Sequence, residues 1–145
     1  MKNAIIFHGT EGSPRGNWFQ WLKRELTKKG WKVWAPKLPD PNKPKASKDA
    51  KYVLEKWKLN SESVLIAHSS GCAVVLGVLS LLPKDIVINK CILVSVFTES
   101  EWEANSDLFD IKFDFAKIKN KAKEFVFIHS DNDPYVPLKQ AEDLA

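Results

Sequence analysis

Val64-Leu65-Ile66-Ala67-His68-Ser69-Ser70-Gly71-Cys72-Ala73-Val74-Val75-Leu76 sets a short apolar run, a small-residue turn and a longer apolar run in immediate succession. The first run has the length of a buried strand, and the second continues to Leu82, long enough for a buried helix. A serine at the apex of a strand–turn–helix has its hydroxyl lifted above the sheet edge. Small residues two positions to either side let strand and helix close around the strained backbone. Ala67 and Gly71 hold those positions around Ser69. The usual spacing is G-x-S-x-G, and alanine keeps the first site small. A serine after a buried strand also serves as a helix N-cap, so the turn alone leaves both readings open.

Outward from this stretch, strands and helices alternate. Asn3 to Phe7 reads as a first strand that runs directly into His8-Gly9. Gly16 to Lys29 has helical spacing, with Trp18, Trp21, Leu22 and Leu26 on one face and Gly30 as a stop. Trp31 to Ala35 is the next strand. Pro36, Pro39, Pro41 and Pro44 then force a loop, because proline fixes φ and removes a donor. Ser47 or Asp49 is expected to cap a helix carrying Tyr52, Val53 and Trp57. Ser63 to Ala67 and Ser70 to Leu82 flank the turn at Ser69. Cys91 to Val96 and Phe125 to Ile128 are further apolar strands, and a helix opens at Leu138 after Pro137. This order predicts an α/β fold: a three-layer sandwich around a mostly parallel sheet of about five strands, in one domain spanning residues 1–145.

Composition narrows the function classes. At 145 residues, 44% hydrophobic and 28% charged, the chain has the make-up of a soluble globular domain. Its net charge of +4 comes almost wholly from scattered lysines, with Arg15 and Arg24 the two arginines, so no nucleic-acid stripe is expected. No apolar stretch reaches bilayer length, and the apolar N-terminal segment is too short for a signal peptide. Cys72 and Cys91 lie in apolar surroundings and read as buried thiols, in keeping with a reducing cytoplasm.

Parallel sheets bind ligands beyond the carboxyl ends of their strands. His8-Gly9-Thr10-Glu11-Gly12 offers a turn there whose N–H groups suit an oxyanion, with the Ser70 N–H as a partner at the helix start. Ser130-Asp131-Asn132-Asp133-Pro134-Tyr135-Val136-Pro137 supplies an acid after the fifth strand. Serine before acid is the chain order of hydrolases built on alternating β and α elements. A metal reading of His129, Asp131 and Asp133 lacks a fourth ligand, and neither metal nor cofactor is expected.

Four runs carry a resemblance. They are Phe7 to Pro14 with Asn17-Trp18, Ala35 to Pro41, Ala67 to Cys72, and Ser130 to Pro137. Together, and in this order, they resemble the YdeN-like group of small α/β-hydrolases, which includes the retinoblastoma-binding protein nine type of serine hydrolase. The resemblance covers the whole chain and implies a lidless hydrolase acting on esters or amides through a Ser-Asp-His triad. It assigns the nucleophile to Ser69 and the acid to Asp133, which precedes Pro134-Tyr135-Val136-Pro137 as the family's acid precedes x-x-Val-Pro. It assigns the oxyanion donors to the backbone of Thr10 and Ser70.

The resemblance also implies a basic histidine after one further strand, and no histidine follows His129. The expectation is therefore a family member lacking its last strand, catalytic histidine and final helix, with impaired activity. Of the three histidines present, His68 is expected to pack against the sheet, His8 to shape its turn, and His129 to be the least unsuitable substitute base. Removal of that last strand would leave Phe125 to Ile128 as an apolar edge, from which pairing between copies is expected. The competing reading is a non-catalytic binding protein on a hydrolase fold, although the Leu-x-Cys-x-Glu pattern for retinoblastoma pockets is absent around Cys72 and Cys91. A nucleotide binder would need a phosphate loop that Gly9 to Ser13 does not provide. Trp18, Trp21, Trp102 and Tyr135 are candidate pocket aromatics, and Glu99 to Glu103 a candidate acidic rim favouring cationic substrates.

Overall fold

A computed structural model describes residues 1–100, 102 and 105–145. The five strands β1 (Asn3–Phe7), β2 (Lys32–Trp34), β3 (Ser63–His68), β4 (Ile88–Val94) and β5 (Ala122–Ile128) form one sheet in the order β2-β1-β3-β4-β5. Every pairing is parallel; Phe7 lies beside Ala67, Leu65 beside Cys91, and Val94 beside Ile128. Such a sheet needs cover on both faces, which is why β1 and the first five residues of β3 are buried throughout.

Side chains alternate between two cores. Ile5, Phe7, Leu65, Ala67, Cys91 and Leu93 face α2 (Ala46–Lys56) and α3 (Ser70–Leu81), whereas Ala4, Ile6, Val64 and Ile66 face α1 (Phe19–Lys28). Helix α3 is buried from Ser70 to Leu79, as suits a helix apolar on every side. Gly77 lets it approach α2 closely, since a Cβ there would lie 3.0 Å from the Ala46 carbonyl oxygen. The two remaining helices, α4 (Phe115–Ile118) and α5 (Leu138–Leu144), lie towards the β5 side.

Beside β5 the cover is incomplete. On the α1 face an open apolar groove of about 570 Å³ is lined by Trp18, Leu22, Ile66, Ile92, Val94 and Ile128. On the other face a groove of about 600 Å³ runs between Phe115, Phe125, Phe127 and Leu144. As the last strand in the order, β5 is an edge, and Ile128 at its end is 52% exposed.

Several sequence-based boundaries move. The α1 helix begins at Phe19 because Asn17 takes a positive φ of 47°, and Phe19 fills the core while Trp21 is exposed. Neither Ser47 nor Asp49 caps α2: the N-cap is Lys45 with no side-chain bond, and the Asp110 carboxylate receives the Ser47 N–H instead. β4 stops at Val94 because Ser95 turns to a φ of 56°, and β5 extends back to Ala122 through polar Lys123 and Glu124. Among the described residues no helix is long and apolar enough to cross a membrane. Cys72 and Cys91 are buried and free, and burial pushes both thiols up.

Candidate active site

The sheet order reverses direction between β1 and β3, the switch point where open α/β sheets leave a crevice beyond their carboxyl ends. His8-Gly9-Thr10 leaves β1 there, and Ser69 leaves β3 beside it.

Ser69 has φ 56° and ψ −124°, a conformation that costs a non-glycine residue energy and persists only where the surroundings impose it. Here they do. The Ser69 N–H donates to the Val94 carbonyl at 2.9 Å, and its carbonyl accepts from the Cys72 N–H at 2.9 Å. Gly71 lies against the end of β1, where a Cβ would come within 2.6 Å of the His8 carbonyl oxygen and 2.9 Å of that of Phe7. Gly9 touches the elbow from the other side, with a Cβ there 3.1 Å from that of Ser69. Ser69 makes no side-chain cap bond to α3, so the N-cap reading of its hydroxyl does not describe it. Its side chain is half-buried, and among the described residues its hydroxyl has no hydrogen-bond partner.

The turn after β1 is rigid for identifiable reasons. His8 Nδ1–H donates to the Gly9 carbonyl at 2.8 Å, leaving Nε2 to accept the Leu38 N–H at 3.0 Å. Burial holds its pKa below the ordinary value, with the Gly9 bond opposing and Lys37 adding, so the ring stays neutral. The Gly9 carbonyl also receives the Gly12 N–H at 3.1 Å, and Glu11 donates to Pro41 at 2.6 Å. A planar trans peptide sets the Thr10 N–H opposite the pinned Gly9 carbonyl. Among the described residues neither the Thr10 nor the Ser70 N–H enters a turn or cap bond.

Side chains join the same two segments. Thr10 Oγ1 lies 2.7 Å from Ser70 Oγ and 2.6 Å from Asn105 Oδ1. The amide oxygen only accepts, so the single Thr10 proton goes to Asn105 and the Ser70 hydroxyl donates to Thr10. Asn105 is buried in the loop after β4. Sequence reading missed it, and a lone asparagine in an irregular loop gives little signal.

Asp133 follows β5. Its Oδ1 accepts the N–H groups of Tyr135 and Val136, each at 2.9 Å, which folds the loop around the carboxylate. Burial pushes its carboxyl up, but those two N–H groups, the Ser95 hydroxyl and His129 together outweigh burial and hold it below the usual range. Ser95, adjacent to the Val94 carbonyl that holds Ser69, is near enough to Asp133 to help lower its pKa. The apolar neighbours of Ser95 in sequence predict a strand, yet its place at the end of β4 matches that of Ser69 at the end of β3.

The histidines are otherwise engaged. His68 packs edge-on to Trp18 at 6.4 Å and against Phe19, on the α1 side; burial lowers its pKa and Asp133 opposes this. The His129 side chain is buried, its Nε2–H donating to the Val136 carbonyl at 2.7 Å while Asp133 Oδ2 stands 3.9 Å away. Its Nδ1 has no hydrogen-bond partner among the described residues. No group of three His, Cys, Asp or Glu side chains could hold a metal ion among the described residues. Trp102 stacks on Tyr135, whereas Trp18 lines the groove over the sheet. In the acidic rim, Glu101 and Glu103 lie outside the described residues.

YdeN of Bacillus subtilis (strain 168) is 31% identical over 155 residues, covering 99% of this chain and 77% of that protein. The serine hydrolase RBBP9 of Rattus norvegicus is 24% identical over 148 residues, covering 98% of this chain and 77% of its own length. The crystal structure of the B. subtilis ydeN gene product superposes with a TM-score of 0.90 over all of this chain and 80% of that one. A family model described as serine hydrolase matches residues 4–145, and the chain belongs to that family.

Proposed function

We propose that this protein hydrolyses carboxylic esters or amides, with Ser69 as nucleophile, Asp133 as acid, and the N–H groups of Thr10 and Ser70 as the oxyanion hole. The observation that carries the reading is the Ser69 backbone at φ 56°, held between Gly9 and Gly71, with its hydroxyl unengaged. A serine serving only as a cap has no need of that strain. In the reaction Ser69 Oγ bonds to the substrate carbonyl carbon, and the carbonyl π electrons move to oxygen. That oxygen meets the two free N–H groups; the serine proton passes to solvent, collapse expels the alcohol or amine with a proton taken from solvent, and water then cleaves the acyl-enzyme. His8 is a positioning residue, because its bond to the Gly9 carbonyl aims the Thr10 N–H.

The Ser69 proton needs an acceptor. Among the described residues none of His8, His68 and His129 is hydrogen-bonded to Ser69, and two of them have ring nitrogens bound to the backbone. The 145-residue chain by itself is therefore a weak catalyst. Loss of the base costs about 10⁶ in kcat, while an intact oxyanion hole and binding retain about 10³ to 10⁴ over water. Intact-mass measurement after incubation with a p-nitrophenyl ester, with Ser69→Ala as reference, tests this: a slowly formed acyl adduct that the variant lacks is expected, and no adduct on either protein would refute it. Brisk turnover by the 145-residue chain would refute the impairment alone. The missing acceptor leaves a non-catalytic binding protein as the second reading, which the absence of any adduct would support.

The unpaired β5 edge suits a second copy of the chain, adding its own β5 across a two-fold axis. Light scattering across a concentration series is expected to show a dimer, and a monomer at millimolar concentration would contradict it.

A further inference from the structure

Trp102 and Tyr135 are 43% and 81% exposed, yet their rings stack with centroids 5.9 Å apart and planes 20° from parallel. They come from different loops, one after β4 and one after β5. Each is tied by its backbone to the candidate site. The Trp102 carbonyl accepts the Asn105 N–H at 2.9 Å, and the Asn105 side chain reaches Thr10 at 2.6 Å. The Tyr135 N–H donates to Asp133 at 2.9 Å. The next residue, Val136, is buried with Phe97, Leu108 and Ala73 in a small cluster that anchors both loops. The rings thus bridge the oxyanion turn and the acid, exposed but each tied by a backbone hydrogen bond.

Core packing does not account for two large aromatic faces left in solvent at such a place. We propose that the Trp102–Tyr135 pair is the binding platform for a planar aryl group of the substrate, next to the carbonyl presented to Ser69. The platform rests on the reading of Ser69 as nucleophile. Aromatic rings mounted on anchored loops lose little freedom on binding and favour a flat π surface over a saturated group of equal size.

The test compares N-(2-naphthyl)acetamide with its fully saturated decahydronaphthyl counterpart, by calorimetric titration of the intact chain. The aryl amide is expected to bind about three- to tenfold more tightly, the span of one aromatic contact. Trp102→Ala and Tyr135→Ala should each erase most of that preference, while Tyr135→Phe, which keeps the ring, retains it. Equal binding of the two amides, or a preference that survives both alanine variants, would overturn the proposal. A variant that only melts earlier while keeping the preference would reduce the pair to a loop clasp and likewise overturn it. Ser69→Ala separates the two readings, because it should keep the aryl preference. If Ser69 proves inert to acylating reagents while the preference stands, the nucleophile reading fails and takes the substrate assignment with it, leaving the pair an aryl-binding surface; reactive Ser69 with no preference overturns the platform alone.

Discussion

Replacing Gly71 by alanine sets two effects against each other, and the structure decides between them. Gly71 lies in the first turn of α3, where alanine on helix propensity alone would stabilise by about 0.5–1 kcal/mol. Its Cβ, however, would sit 2.6 Å from the His8 carbonyl oxygen and 2.9 Å from that of Phe7. An ordinary carbon–oxygen contact needs roughly 3.3 Å. The end of β1 would have to retreat from the elbow by about 0.7 Å, and both obstacles are backbone held in the sheet. Overpacking of this kind costs about 1–3 kcal/mol, and unyielding neighbours put it at the upper end. The net expectation is a loss of about 2 kcal/mol, or roughly 4–8 °C in melting temperature for a domain of this size. Urea titration followed by tryptophan fluorescence, with a thermal melt by circular dichroism, measures it. Gly16→Ala is the control, because the nearest atom to a Cβ there is 3.5 Å away. A Gly71→Ala protein as stable as the parent, or more so, would refute the close-approach argument.

Asp49 is buried in α2 with neither carboxylate oxygen bonded; burial, opposed by Lys48 and reinforced by Asp40 and Asp110, raises its pKa to about 7. Since the folded value lies above the unfolded one of about 3.9, stability is full in acid and declines as pH rises from about 4 to 7. With allowance for screening near the helix end the loss is about 2 kcal/mol, and Asp49→Asn should flatten that slope in urea melts across the range. Thr10→Val keeps shape but strips Asn105 and Ser70 of their hydroxyl partner; a destabilisation of about 1–3 kcal/mol is expected, measured by urea titration.

The parts legible in the sequence were those set by local pattern. The apolar runs at Asn3 to Phe7 and Ser63 to Ala67 are buried on both faces, so their composition announces parallel strands. The elbow and the acid loop carried their own turn chemistry. β5 began earlier than expected because an edge strand tolerates Lys123 and Glu124, which carry no strand signal. Asn105 was not legible, since its bond to Thr10 spans 95 residues and depends on the fold already being closed. Nor was Ser95, whose positive φ lies inside an apolar run that reads as one strand. Trp21 has core-like spacing, but the pivot at Asn17 turns Phe19 inward in its place.

The central claim is that the strained elbow presents Ser69 as a reactive hydroxyl. Its most direct test is incubation of the 145-residue chain with a fluorophosphonate, followed by peptide mass spectrometry. One adduct, on Ser69, forming slowly and absent from Ser69→Ala, is the predicted result. No adduct at Ser69 after prolonged incubation, or modification shared evenly among exposed serines, would contradict it.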